Sequence, residues 1–235
     1  MELYYILGIL ILPGIIYASI VQGRVNNAFN TYKSLKSVNG ITTAEACKRI
    51  LQSAGISDVK ITSTKGHLTD HYNPKTKTVN LSESVYNSTS ISALGVAAHE
   101  VGHAIQHAQG YKPLKLRNAL IVVNNFCSNL FWIVIIASFF LSIFSYFYFG
   151  IVFLGVAFII YLLSFLISIV TYPVEKDASK RALDLLVKND ILDSTEVKGA
   201  EVVLKAAAQT YLAGIIVSVL YLLRVVFAFL LLRRG

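Results

Sequence analysis

The chain has 235 residues, of which 55% are hydrophobic and only 14% are charged, a composition too apolar for an ordinary soluble domain. Its formal net charge is +8 at pH 7, but the basic residues flank apolar stretches, as membrane topology requires, so the charge does not indicate a nucleic-acid partner. The two cysteines, Cys47 and Cys127, are far apart in the sequence, which excludes a disulfide framework and a Cys-x-x-Cys metal site.

Four apolar stretches approach or exceed the length that crosses a bilayer. They cover residues 3–21, 130–149, 151–172 and 212–232, and Arg224 in the last stretch is their one charged residue. The first stretch lacks a basic start and a small-x-small cleavage site, so we interpret it as a retained anchor rather than a signal peptide. The sequence therefore predicts an integral membrane protein with about four transmembrane helices.

A small sheet is predicted between the first anchor and the motif described below. Apolar and polar residues alternate at 58–62 and at 76–81, which is the period of a β-strand. We expect a small, mostly antiparallel sheet, whose edge strand could receive an extended peptide. His67 and His71 lie between the two strands, and we expect them to be structural or solvated rather than metal ligands.

The pattern His-Glu-x-x-His occurs as His99, Glu100 and His103, on a helix predicted from about 90 to 109. Positions four apart lie on one face of an α-helix, so both imidazoles can bind one ion while Glu100 lies beside it. These are the groups that a hydrolytic zinc site needs: two neutral imidazoles and a carboxylate that takes a proton from water. The alternative, a surface helix with two exposed histidines, is disfavoured by the small and apolar flanking residues.

Gly102 lies inside this pattern, although glycine costs about 1 kcal/mol relative to alanine in an exposed helix. Close approach of another backbone, close approach of a substrate, or ordinary packing would each explain a small residue here.

A catalytic zinc site normally has three protein ligands and an open position for water. One known solution has a third histidine ten residues after the first, with a glycine between them, but this chain has Gln109 and Gln106 at those positions. His107 lies two turns from His99, too far along the helix to reach the same ion easily. The motif helix alone therefore does not complete the site.

The other solution is a glutamate on a later helix, and the downstream candidates are Glu175, Glu196 and Glu201. We favour Glu175 because it starts a helix directly after the predicted membrane hairpin, where the chain returns to the side of the motif. Glu201 and Glu196 remain alternatives.

Several segments together carry a resemblance to a known family. They are 66–74 (GHLTDHYNP), 81–86 (LSESVY), 96–107 (VAAHEVGHAIQH), 111–117 (YKPLKLR), 172–179 (YPVEKDAS) and 206–211 (AAAQTY). This combination resembles the YugP-like family of neutral zinc metallopeptidases, which are multi-pass bacterial membrane proteins. The resemblance implies an α+β integral membrane protein with a mainly helical, zincin-like metalloprotease domain.

The order of motif helix, two membrane spans and glutamate helix also resembles the membrane gluzincins of the HtpX and CAAX-prenyl protease type. In those proteins a Glu-x-x-x-Asp pattern supplies the third ligand and an aspartate that supports a ligand histidine. Matched position by position, Glu175 is the ligand, but Ser179 stands at the aspartate position. Asp177 is about 200° around the helix from Glu175 and cannot simply substitute. We expect Ser179 or some other group to support the histidine.

The residues and the resemblance together predict a membrane-embedded zinc-dependent endopeptidase. One Zn²⁺ per chain is expected on His99, His103 and Glu175, with Glu100 as general base. The expected substrates are polypeptides, membrane-associated or misfolded.

The sequence also suggests a donor to the oxyanion and an alternative function. Tyr211 or Arg181 could donate to the developing oxyanion. A catalytically silent zinc-binding membrane scaffold or adaptor is the alternative function. A transport or channel component is disfavoured because the predicted spans contain so few ionisable residues.

The predicted organisation has five parts, and basic residues at their borders predict their orientation. The apolar hairpin has no charge near Gly150, so it is expected outside and the site on the cytoplasmic side of a bacterial cell membrane. The parts are a transmembrane anchor (1–21), a catalytic domain with the motif helix (22–129), a transmembrane hairpin (130–172), a second catalytic part with the third zinc ligand (173–211) and a C-terminal transmembrane helix (212–235).

Overall fold

The computed structural model describes residues 8–9, 11–141 and 146–232. The chain is mainly helical, as expected, with one small sheet in these residues. The helices are α1 (Leu12–Lys33), α2 (Thr43–Ser53), α3 (Glu83–Tyr86), α4 (Ile91–Ala108), α5 (Lys112–Leu141), α6 (Tyr146–Lys188) and α7 (Glu196–Leu232), and the strands are β1 (Lys60–Thr64), β2 (His71–Asn73) and β3 (Thr78–Ser82).

The sheet is mixed, so the expectation of a mostly antiparallel sheet is wrong. Its strand order is β1-β3-β2, with β1 parallel to β3 and β2 antiparallel to β3. A tight turn after Pro74 joins β2 to β3, whereas residues 65–77 separate β1 from β3 and are long enough to bring the chain back in the same direction. The alternating pattern indicated β1 and β3, but the three residues of β2 are too few to produce one.

Helix α4 carries the His-Glu-x-x-His pattern and starts and ends close to the predicted positions. The Ser90 side chain accepts a hydrogen bond from the Ala93 backbone N–H at 3.3 Å, which caps its first turn. Gly110 adopts a φ of +64°, and this left-handed conformation lets the chain leave the helix after Gln109. Most side chains of α4 are buried, so the motif lies on a packed helix rather than on a surface one.

The described residues form two compact units. One contains Val21–Lys115 and Pro173–Thr210, and the other contains the described residues of Met1–Ile20, Leu116–Tyr172 and Tyr211–Gly235. The first unit has its own apolar core around α4, which includes the fully buried side chains of Ile50, Leu81, Leu94, Val101 and Leu186. This unit holds every residue of the site described below.

Two helical stretches in the described part of the chain are long and apolar enough to cross a membrane. They are Gly155–Lys188 and Glu196–Leu230, whose most apolar windows have mean hydropathies of 2.2 and 2.4. Only 11% and 22% of those windows are buried within the chain, unlike the core helix of a soluble domain, which is mostly buried. The predicted spans 3–21 and 130–149 lie partly outside the described residues.

Candidate metal centre

Three potential metal ligands from two helices come together in the first unit. The Nε2 atom of His99 lies 3.1 Å from Oε2 of Glu175, and the Nε2 atom of His103 lies 3.4 Å from the same oxygen. The ligand atoms of all three side chains lie within 4.8 Å of one another. Ligands bound tetrahedrally at 2.0–2.1 Å from zinc are about 3.3 Å apart. The nitrogen and oxygen donors present therefore fit a zinc ion in both chemistry and spacing.

The spacing of the two histidines on α4 and the close packing of α6 produce this arrangement. His99 and His103 lie on one face of α4, with their rings 4.7 Å apart and nearly perpendicular. A Cβ atom at Gly102 would lie only 2.7 Å from the backbone oxygen of Ala178 in α6. Of the three explanations for this glycine, close approach of another backbone therefore applies. It brings Glu175, one turn before Ala178, to the histidines.

The three side chains are largely removed from solvent. Only 3% of the Glu175 side chain is exposed, against 14% for His99. Burial by itself would raise the pKa of Glu175, but hydrogen bonds and charge from His103 and His99 outweigh it and hold this pKa well below its usual range. Burial by itself would lower the pKa of His103. The hydrogen bond to Glu175 and the negative charge of Glu175 outweigh that effect, so the pKa of His103 is raised. Glu175 is therefore an anion at neutral pH, the form that binds metals.

A buried glutamine fixes the orientation of the His103 ring. The Gln106 side chain is completely buried, and its amide nitrogen donates to the Val174 carbonyl at 2.9 Å and to Oδ2 of Asp177 at 2.8 Å. Because both of those partners can only accept, the amide oxygen must face Nδ1 of His103, which lies 3.0 Å away. Nδ1 of His103 therefore carries a proton, and Nε2, on the side of Glu175, is the ring nitrogen available to a metal.

Ser179 and Asp177 support different histidines, whereas a single aspartate has this role in the gluzincin pattern. The Ser179 hydroxyl lies 3.1 Å from Nδ1 of His99, so the residue at the aspartate position does contact one of the two histidines of the motif. Asp177 faces the other way and reaches His103 only through Gln106. The histidine support that the sequence left open is thus provided by a hydroxyl on one ring and an amide on the other.

Arg181 completes this network on its outer side. Its Nε donates to Asp177 at 2.6 Å, its Nη1 donates to Gln109 at 2.6 Å, and the guanidinium lies over the Tyr111 ring, 5.7 Å from its centre. This arginine is thus held by one neighbour in α6 and by two in the segment between α4 and α5. Tyr211 lies on α7 in the other unit, and its role in oxyanion binding stays a prediction.

Glu100 directly follows His99 on α4 and is partly buried. Its Oε2 accepts a hydrogen bond from the backbone N–H of Tyr72 in β2 at 2.9 Å. Burial raises the pKa of Glu100 above its usual range, although the neighbouring histidines counteract part of that effect. A carboxylate with a raised pKa is suited to receive and return a proton near neutral pH.

The other two candidate glutamates have partners elsewhere. Glu196 accepts hydrogen bonds from the backbone N–H groups of Val38 at 2.7 Å and Asp193 at 3.0 Å. Glu201 forms an ion pair with Lys205 one turn later, at 2.7 Å. Of the three downstream glutamates weighed from the sequence, Glu175 is thus the one that the structure brings to the two histidines.

The remaining histidines also lie apart from this cluster. His71 contacts the carbonyl of Thr69 at 2.9 Å, and His67 packs edge-on against Phe29. His107 lies 2.8 Å from the hydroxyl of Tyr72 through its Nδ1. These contacts agree with the structural roles expected for His67 and His71.

Sequence reasoning did not assign roles to Gln106 and Tyr72. Gln106 lies three residues after His103, on the same face of α4, so a polar residue at this spacing could have indicated a hydrogen-bonding partner for that ring. No pattern in the sequence pointed from Tyr72 to Glu100, because that contact joins two elements 28 residues apart through a backbone atom.

The described residues combine two helical stretches that could cross a membrane with a cluster of three potential metal ligands, and comparison with known proteins defines the family. The chain belongs to the family described as "Putative neutral zinc metallopeptidase", whose model matches residues 7–230. A curated relative is the "Putative membrane protease YugP" of Bacillus subtilis (strain 168), which is 38% identical over 209 residues, covering 89% of this chain and 90% of the relative. No solved structure matches the chain.

Proposed function

We propose that the chain is a membrane-embedded zinc-dependent endopeptidase that hydrolyses peptide bonds with Glu100 as general base. The observation that carries the proposal is the convergence of two imidazole nitrogens and one carboxylate oxygen at separations that suit tetrahedral zinc. The second support is the position of Glu100 next to that cluster on α4. The third is membership of a family that is named for zinc peptidase activity.

In this proposal, His99, His103 and Glu175 hold one Zn²⁺ per chain. Gln106 and Ser179 keep the two imidazole rings oriented, which is the usual task of groups that bond to ligand histidines. The bound zinc would supply a Lewis acid that acidifies water and polarises the scissile carbonyl. The partly exposed His99 marks the side from which water and substrate can enter.

Glu100 performs the proton transfers. The oxygen of the attacking water bonds to the carbonyl carbon while Glu100 takes a proton from that water. Because Oε2 is held by the Tyr72 N–H, Oε1 is the atom that receives the proton. Glu100 then gives the proton to the amide nitrogen as the C–N bond breaks, which releases the amine. The raised pKa of Glu100 supports both transfers near neutral pH.

We further propose that the chain crosses a bacterial cell membrane several times, with the site on the cytoplasmic side. The two apolar helices and the relative named a membrane protease support the membrane location, and the distribution of basic residues supports the orientation. The proposed substrates are membrane-associated or misfolded polypeptides, with Tyr211 as a candidate donor to the oxyanion.

A Glu100→Gln variant tests this function against a catalytically silent zinc-binding scaffold. The full chain in detergent is incubated with an unfolded polypeptide, and its zinc content is measured in parallel. We expect the variant to retain zinc and to lose at least about 100-fold of the cleavage rate, because general-base catalysis contributes about 10²–10⁴-fold. Glu201→Gln, which removes a surface carboxylate far from the ligands in sequence, is the matched control and should cleave normally.

Two results would count against the proposal. Normal cleavage by Glu100→Gln would show that another group is the base. Zinc-loaded wild-type protein that cleaves no polypeptide, including those co-purified with Glu100→Gln, would support the scaffold instead.

A further inference from the structure

The segment 66–74 is one of those that carry the family resemblance, yet none of its side chains has a part in the zinc chemistry proposed above. We propose, resting on the proposed function, that Tyr72 in this segment is a positioning residue that holds Glu100 for catalysis. Its backbone N–H binds the Glu100 carboxylate, and its hydroxyl attaches the same strand to His107. Strand β2 thereby acts as a strap across two turns of α4.

The first contact comes from the backbone of an edge strand. Tyr72 lies opposite Val79 in the β2–β3 pair, and its N–H points away from β3 to Oε2 of Glu100, 2.9 Å away. A strand fixes the direction of its N–H groups, so this donor cannot turn to another acceptor as a side chain could. A hydrogen bond to a charged carboxylate is also about twice as strong as one between neutral groups. The contact therefore restricts Glu100 to one orientation.

The second contact secures the strand itself. The Tyr72 hydroxyl lies 2.8 Å from Nδ1 of His107, and the two rings are 5.8 Å apart. His107 follows Glu100 by seven residues, which is about 10.5 Å along the helix axis. A three-residue edge strand with a single hydrogen bond to α4 would open easily. A second attachment two turns away makes the position of the Tyr72 N–H depend on the tyrosine side chain.

The residues around Tyr72 hold the strand at both ends. Oδ1 of Asp70 accepts from the Ser82 backbone N–H at 2.8 Å, and its Oδ2 accepts from the Ser82 hydroxyl at 3.0 Å. Oδ1 of Asn73 accepts from the Lys75 backbone N–H at 3.0 Å, which shapes the turn after β2. These bonds explain why so many polar side chains surround a strand of only three residues: they fix the frame that carries Tyr72.

Tyr72→Phe tests the proposal because it removes the hydroxyl and keeps both the ring and the backbone N–H. A displacement of about 1 Å at a catalytic group costs about 100-fold in rate. The variant loosens the strap rather than displacing Glu100, so we expect kcat to fall about 10-fold, with KM and zinc affinity changed by less than about 2-fold. Tyr86→Phe removes a hydroxyl from another partly buried tyrosine of the same unit and should leave all three quantities unchanged.

A double variant separates positioning of Glu100 from a general structural role. If Tyr72 acts through Glu100, its loss should have no further effect on the residual cleavage by Glu100→Gln. An equal fold-loss in both backgrounds, or an unchanged kcat in Tyr72→Phe alone, would overturn the proposal.

Hydrogen exchange tests the strap without any need for catalysis. The peptide that contains β2 should exchange faster in Tyr72→Phe and in Glu100→Ala than in the wild type, and Tyr86→Phe should match the wild type. Unchanged exchange in the first two variants would refute the strap even if the chain is a peptidase. Faster exchange in a chain that cleaves no polypeptide would instead leave the strap standing and refute the proposed function.

Discussion

Adding a single methyl group at Gly102 should damage the metal site by moving one helix. The Cβ of Gly102→Ala would lie 2.7 Å from the Ala178 carbonyl oxygen and 3.3 Å from both its carbonyl carbon and its Cα. All three atoms belong to the backbone, so rotation of a side chain cannot relieve the overlap. Helices α4 and α6 must separate locally instead.

The size of that movement decides the outcome. The contact of 2.7 Å must lengthen by at least about 0.7 Å to reach ordinary packing distances. Glu175 and Ser179 lie on the same stretch of α6 as Ala178, so they move away from His99 and His103 with it. Zinc sites tolerate deviations of about ±0.2 Å in ligand distance. We therefore expect zinc affinity to fall by at least about 10-fold, by analogy with the 10–100-fold cost of losing outer partners of the ligands.

Stability alone would not reveal this effect. Alanine is favoured over glycine in a helix by about 1 kcal/mol, and this gain offsets part of an overpacking cost of about 1–3 kcal/mol. Zinc affinity, measured by competition with a chromophoric chelator on the full chain in detergent, is the diagnostic quantity.

Gly95→Ala is the matched control on the same helix. Its Cβ would lie 3.0 Å from Cβ of Ala200, on α7, which supplies none of the three ligands. We expect zinc affinity to change by less than about 3-fold in this control, because overpacking there does not move Glu175. Wild-type affinity in a folded Gly102→Ala variant, or an equal loss in Gly95→Ala, would refute the reasoning.

Three further predictions concern the metal. Gln106→Leu should weaken zinc binding about 10–100-fold in the same competition assay, because Nδ1–H of His103 loses its acceptor; unchanged affinity would contradict the orienting role of the amide. Glu175→Gln should lower zinc affinity at least about 100-fold, whereas Glu201→Gln should leave it unchanged. A loss of zinc affinity in Glu201→Gln but not in Glu175→Gln would identify Glu201 as the third ligand instead. Zinc at 100 times its dissociation constant should stabilise the wild type by about 2.7 kcal/mol, seen as a higher unfolding temperature, but should not stabilise His99→Ala/His103→Ala.

The sequence is sufficient to predict those parts of the site whose geometry depends only on spacing within one helix. The spacing of His99 and His103 places them on one helical face whatever surrounds the helix. The position after the predicted hairpin favours Glu175 over Glu196 and Glu201, but the expectation that Glu175 starts a helix is wrong, because α6 runs unbroken from Tyr146 to Lys188. The contact at Gly102 is the point where α6 meets α4.

The parts that sequence reasoning left open depend on contacts between distant elements. The amide of Gln106 joins His103 to Asp177 across 71 residues of sequence, and no periodicity within one helix reports such a link. The parallel pairing of β1 with β3 was missed for the same reason, because alternation shows that a strand exists and is silent about its partner. The hydrogen bond between Tyr72 and Glu100 is donated by a backbone N–H, so the residue types in the sequence do not reveal it.

Zinc content of the purified full chain tests the central claim most directly. The account predicts about one zinc per chain in the wild type, in line with a three-ligand catalytic site, and none in the His99→Ala/His103→Ala double variant. Absence of stoichiometric zinc from folded wild-type protein, or its retention by the double variant, would contradict the account.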